Sequence, residues 1–176
     1  MAVELARTLR GALAGATAAG VWMAQQPLDK RAFGVPYDDA ELLGAAVVRG
    51  RAALPVGIAL HLANGAVFGA VYANVAPALP APAWVRGPIA GLAEHLATWP
   101  LAPLVDRVHP ARDQLPRLAG SRVTFWQATW RHLLFGLVLG ELERRLNAPE
   151  PEVPAYEGVF SSNGHGSLEQ AVPSVS

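Results

Sequence analysis

One carboxylate stands alone in a long apolar run. Residues 87–105, GPIAGLAEHLATWPLAPLV, carry a single charged group, Glu94, with His95 beside it. Two more histidines, His61 and His132, lie in similar runs, each four residues ahead of a glycine, Gly65 and Gly136. Arg131 is the one charge within 123–140, and Gln25 and Gln26 close the first apolar run. Carboxyl and imidazole groups exchange protons, and imidazole also binds metals. At helical rise Glu94 lies roughly 16 Å from either end of its expected span, 84–105, beyond the reach of a snorkelling side chain. An ionisable group at membrane depth costs ~2.5–3.5 kcal/mol on insertion scales and marks a functional site by default. The plain alternative is a carboxyl kept protonated by burial and hydrogen-bonded to a neighbouring histidine or the backbone.

The other polar residues divide in the same way. Arg131 lies about 140° around a helix from Gly136, which predicts snorkelling to the interface, with pairing to Glu94 as a second option. His61 and His132 form a candidate pair of haem or metal ligands. The competing reading is packing histidines that donate to backbone carbonyls of adjacent helices. No carboxylate pattern accompanies the pair to orient the imidazoles, so no metal or cofactor is expected. There is no catalytic motif of the GxSxG or HExxH kind, and an enzyme is not expected.

The elements that hold these residues come from charge-free stretches. Residues 11–26 and 52–75 have no Asp, Glu, Lys or Arg. With 87–105 and 123–140 they make four stretches of about 16 to 24 residues, near the ~20 that cross a bilayer core. Charged residues are 16% of the 176, and mean hydropathy is a modest +0.24 because Ala and Gly dilute it. A soluble helix would show a charged face at every turn, and these show none. The expected fold is all-α: a four-helix transmembrane bundle with spans near 5–26, 54–76, 84–105 and 123–142. Arg7 and Arg10 before an Ala-rich run suggest a signal peptide, but the apolar part is short and the segment is read as a retained span. Asp38 with Glu41 predicts the start of a short interfacial helix near 39–49. The membrane domain is 1–146, and 147–176, rich in Pro, Glu, Ser and Gly, is expected to be disordered.

The chain also repeats itself. Residues 10–31 align with 86–107 at an offset of 76, matching Arg10 with Arg86, Gly11 with Gly87, Gly15 with Gly91 and Pro27 with Pro103. HLANGAVFG at 61–69 matches HLLFGLVLG at 132–140 at an offset of 71. Two tandem helical hairpins follow, repeat 1 over about 5–76 and repeat 2 over about 84–146. A hairpin returns the chain to its starting side, so the copies relate by an axis along the membrane normal, a parallel pseudo-twofold. His61 then mirrors His132, while Glu94 has only Ala18 as its counterpart.

Each span carries glycines four apart: Gly11 and Gly15, Gly65 and Gly69, Gly87 and Gly91, Gly136 and Gly140. They predict close helix packing in the half nearer the N-terminus, opposite a polar half holding the histidines. Trp22, Trp99, Trp126 and Trp130 are expected as interface anchors on the polar side. Loops on that side hold eight basic residues against five on the other, which leans toward a cytoplasmic placement of that side. Zero net charge and the lack of a basic stripe exclude nucleic acid as a partner. The partners expected are the lipid bilayer and a second copy or another membrane protein.

Gly-rich spans, four crossings and WMAQQPLDK after the first span resemble the YagU-like family of small bacterial inner-membrane proteins. The resemblance covers about 5–146. It implies a multi-pass inner-membrane location and a link to acid stress, and it transfers no site residue. Three functions compete: proton or small-solute handling through a polar cavity, a structural subunit assembling through its glycine faces, and a bis-histidine redox protein.

Overall fold

The computed structural model describes residues 4–149, all helix and connecting turns, with no strand among them. The helices are α1 (Leu5–Phe33), α2 (Asp39–Val47), α3 (Ala53–Val75), α4 (Ala83–Thr98), α5 (Ala102–Val108) and α6 (Arg122–Leu146). Most of the expected disordered tail, 150–176, lies outside the described residues.

Local chemistry sets the ends. α1 runs past Pro27 for about two further turns and stops at Gly34, whose φ of 68° is the left-handed value of a helix C-cap. This is longer than the expected 5–26 and carries Asp29, Lys30 and Arg31 on a continuous helix. Asp38 caps α2 by accepting from the amides of Ala40 and Glu41, as its position predicted. In the second half of the chain, Trp99-Pro100 breaks the helix into a 3-10 turn before α5. Ser121 caps α6.

The halves differ between α5 and α6. Residues 109–121 are turns rather than a counterpart of α2, and the Asp106 carboxylate receives the amides of Leu118 and Ala119 to hold them. Gly120, aligned by sequence with helical Gly44, has φ 78°. Tyr37, Ala102 and Leu118 form a small core between the two connections.

Helix pairs meet backbone to backbone. All eight glycines of the four-residue pairs are buried. A Cβ on Gly15 would strike the carbonyl of Gly65, and one on Gly69 the carbonyl of Gly11, so α1 and α3 touch through both pairs. Gly87 and Gly136 face each other's carbonyls in the same manner across α4 and α6. A third contact of this kind was not expected: Gly44 of α2 lies on Ala53 O, and Gly57 of α3 on Ala40 O. Small residues allow such approach, and dispersion and weak polar contacts stabilise it. α1 also packs on α6, which joins the α1–α3 and α4–α6 pairs; no comparable packing joins α3 to α4.

One helix, α3 with its flanking turns (Gly50–Ala78), is long and apolar enough to cross a membrane by length and composition.

Candidate functional site

The cleft left between α3 and α4 deepens into a cavity of about 270 Å³. Ala19 and Trp22 of α1 and His132 and Phe135 of α6 line it. α2 adds Leu42 and Leu43, α3 adds His61, Asn64 and Phe68, and α4 adds Glu94 and Thr98. The repeat alignment therefore brings His61 and His132 to one cavity, and Glu94 joins them.

Glu94 and His132 stand together on the cavity wall. His132 Nε2 is 2.9 Å from Glu94 Oε2. Its other nitrogen, Nδ1, is 2.7 Å from the carbonyl oxygen of Ala128 one turn earlier. A carbonyl only accepts, so Nδ1 carries a hydrogen. Nε2 stands beside the Glu94 carboxyl as a close neighbour. Both groups stand at the cavity wall. Glu94 is partly exposed there, so it is neither sealed in the core nor at the bundle surface.

The other two histidines differ. His61 is buried with its ring edge-on to Trp22 at 5.1 Å, and its Nε2 has no hydrogen-bond partner. A buried orphan polar atom of this kind calls for an explanation. His95 stands behind His132, rings 4.7 Å apart, and does not line the cavity. Its Nε2 lies 3.0 Å from Thr129 Oγ1. That hydroxyl donates to Phe125 O, so it accepts from His95 Nε2–H. The indole of Trp22 stands against both His61 and His132, and His132 Nδ1 is engaged with the Ala128 carbonyl. The pair is not arranged as two free axial ligands. No group of three or more His, Asp or Glu could hold a metal ion among the described residues.

Arg131 departs most from its expectation. It does not snorkel and does not pair with Glu94; its side chain is 0% exposed. It grips Asp29 with two parallel bonds, Nε to Oδ2 at 2.7 Å and Nη2 to Oδ1 at 2.6 Å. Nη1 donates to Asp39 Oδ2 at 2.6 Å, and Nη2 also donates to Tyr37 O at 3.0 Å. Such bidentate charged bonds are about twice as strong as neutral ones. The carboxylates are saturated in turn. Gln25 and Gln127 donate to Asp29, and Trp22 Nε1 and the Tyr37 hydroxyl donate to Asp39. Burial, then the adjacent Asp39 carboxylate, pushes the Tyr37 phenol well above its ordinary range, so it remains a donor. The cluster ties α1, the α1–α2 connection, α2 and α6 into one clasp beside the cavity. Trp22, Tyr37 and Asp39 belong to both.

Three of these groups were missed from sequence. Asp29 and Tyr37 look like loop residues and Asp39 like the start of an interfacial helix, whereas α1 continues past Pro27 and the connection folds back onto α6. One signal was available: Gln25 and Asp29 share a helix face at a spacing of four, once the helix is extended. Trp22 is buried rather than an interface anchor, while Trp84, Trp126 and Trp130 are exposed. Gln26 is buried away from both clusters and its Oε1 lacks a partner.

At the side nearer the N-terminus, Arg7 bonds Ala73 O and Glu143, both at 2.6 Å, joining α1, α3 and α6. Near the clasp, Lys30 pairs with Asp38 at 2.5 Å. Burial alone would raise the Asp38 carboxyl, but this ammonium and the two cap amides outweigh it and hold the group below its ordinary range.

No family model matches the chain, and neither a curated protein nor a solved structure matches it, so the chemistry of this cavity and clasp carries the functional reading.

Proposed function

We propose that the chain is a multi-pass protein of the bacterial inner membrane, a four-helix bundle of two tandem hairpins, that handles protons or a small solute through the cavity. The observation that carries the proposal is the partly exposed Glu94 carboxyl on the cavity wall, 2.9 Å from His132 Nε2.

The distribution of side chains supports the membrane setting. Four of the five largest fully buried side chains are polar: Arg131, His95, Gln127 and Thr124. Large apolar side chains face outward on every long helix, among them Leu13, Val67, Ile89 and Leu137. Only 22% of the most apolar window of α3 is buried, where the core helix of a water-soluble protein would be mostly buried. Exposed hydroxyls are satisfied within their own helices, as lipid requires: Thr17 donates to Leu13 O and Thr98 to Glu94 O. Glycine contacts of one kind in α1–α3 and α4–α6 support descent from a duplicated hairpin. These glycines are engaged within the chain, which weighs against a subunit that assembles through them.

The test is flux. Purified protein reconstituted in liposomes with an internal pH dye is given a pH gradient. Wild type accelerates its decay, and Glu94→Gln removes most of the protein-dependent rate while eluting as wild type on gel filtration. Equal rates for the two proteins overturn the proposal.

A further inference from the structure

A second cavity lies at the polar connections, apart from Glu94. It is a groove of about 760 Å³ between the end of α2, the turn into α3 and residues 110–115 after α5. Arg49 and Arg51 both line it, and both are exposed. Gly50 stands between them with φ 73°, where the extended backbone at Arg49 turns into the helical start of α3. Among the described residues neither guanidinium is in an ion pair. The one acid among the lining residues is Glu41, so two cations stand against one anion. Much of the remaining wall is apolar, with Val48, Leu54 and Leu115 in it.

The groove continues in one direction. α3 with its flanking turns, Gly50–Ala78, is long and apolar enough to cross a membrane, so the two arginines stand at its boundary. Leu54 and Ile58 follow one turn apart, 48% and 38% exposed. They line a shallower groove of about 310 Å³ against Met23 and Pro27 of α1, and the two grooves share Leu54. In the membrane setting proposed above, on which this inference rests, the cationic groove is at headgroup level and Ile58 is in hydrocarbon.

We infer that this groove binds an anionic phospholipid, with the phosphodiester at Arg49 and Arg51 and an acyl chain along Leu54 and Ile58. A guanidinium is a planar fork that bonds phosphate oxygens in pairs. The groove's surplus of one positive charge matches a phosphodiester whose headgroup is otherwise uncharged. A zwitterionic headgroup would bring its own ammonium against two guanidiniums, which selects against it. A soluble phosphoester would satisfy the arginines but leave the Leu54–Ile58 face uncovered, and that face assigns the lipid. Compact ligands use sites of ~300–1,000 Å³, so the groove has room for a whole headgroup. Seated there, the headgroup joins the turn into α3 to the turns after α5.

The test titrates the delipidated full chain in detergent with phosphatidylglycerol or phosphatidylcholine of the same acyl chains, and counts bound lipid by native mass spectrometry. One phosphatidylglycerol is expected to bind about 10-fold tighter than phosphatidylcholine. Arg49→Gln with Arg51→Gln removes that preference. Arg31→Gln with Arg107→Gln removes the same charge on the same side but outside the groove, and leaves it. All four arginines are exposed, so both double variants keep the fold. Glycerophosphoglycerol, the same headgroup without chains, displaces the lipid only at roughly 100-fold higher concentration, because it buries no acyl chain. Equal binding of the two lipids, or equal losses in the two double variants, overturns the inference. Displacement by glycerophosphoglycerol at the lipid's own concentration also overturns it, and assigns the groove to a soluble phosphoester. If Glu94-dependent proton flux persists beside any of these results, the membrane reading stands and only the lipid site fails. If the chain neither inserts in bilayers nor conducts protons, both fail.

Discussion

Replacing Arg131 with methionine is the sharpest perturbation of the clasp. Methionine keeps most of the buried stem volume, so little cavity cost is added. What it removes is the one cation between Asp29 and Asp39, and with it bonds to both oxygens of Asp29, one of Asp39 and the carbonyl of Tyr37. Two carboxylates remain almost without solvent, with neutral donors from Gln25, Gln127, Trp22 and Tyr37 as their only compensation. Breaking a buried ion pair from one side costs about 3–5 kcal/mol, because an uncompensated charge is left behind. The single variant is expected to lose that amount in denaturant unfolding of the detergent-solubilised protein, followed by circular dichroism. Adding Asp29→Asn and Asp39→Asn removes both stranded charges while each amide keeps one acceptor oxygen. The triple variant should regain ~1–3 kcal/mol, the usual coupling for residues in one network. A single variant within about 0.5 kcal/mol of wild type, as at an ordinary surface position, would refute the electrostatic reasoning. So would a triple variant no more stable than the single one.

The glycine contacts make a paired prediction. A Cβ on Gly20 would meet only Leu62 Cδ2 at 3.9 Å, so Gly20→Ala should stabilise by ~0.5–1 kcal/mol through helix propensity; Gly65→Ala, whose Cβ would come within 2.6 Å of Ala19 Cβ and 2.7 Å of Gly15 O, should destabilise in the same unfolding assay. Acid should weaken the α2 cap. The Asp38 carboxyl titrates below its ordinary range, so its contribution is complete above that range and fades as pH falls through the lower folded value. The melting difference between wild type and Asp38→Asn should therefore be largest near neutrality and shrink below about pH 4; a difference that grows on acidification would show that the sign is wrong.

Sequence revealed the helices and the glycine contacts because both depend on short-range spacing. Gly11, Gly15, Gly65 and Gly69 are each four residues from a partner, and such a stripe has one face. His61, Glu94 and His132 could be grouped because the internal alignment sets two of them in register and depth sets the third. The clasp was not legible in the same way. Arg131 was judged by its angle from Gly136 on one helix, but its partners come from a connection nearly a hundred residues earlier. The missing step was α1 continuing through Pro27, which swings Asp29 onto the bundle's inner face. Proline in the first span ends a helix on local grounds, and here the clasp outweighs that local preference. Trp22 shows the same limit. Its position suits an interface anchor, and only its indole bond to Asp39 reveals why it is inside. Gly57 continues the four-residue spacing of His61, Gly65 and Gly69, but nothing local shows that it meets Gly44 of α2.

The four-span bundle is tested most directly by cysteine scanning, because the chain has no native cysteine. Single cysteines at outward-facing Leu13, Val67, Ile89 and Leu137, one on each long helix, are compared with Pro80 and Asp113 in the connections. Open membrane fragments are treated with a charged, membrane-impermeant maleimide. A bundle of four membrane spans predicts that Pro80→Cys and Asp113→Cys label readily, while the four outward positions label only after detergent or denaturant is added. Labelling of Val67→Cys and Leu137→Cys at the rate of Asp113→Cys in intact membranes would contradict it, because those apolar faces would then be in water.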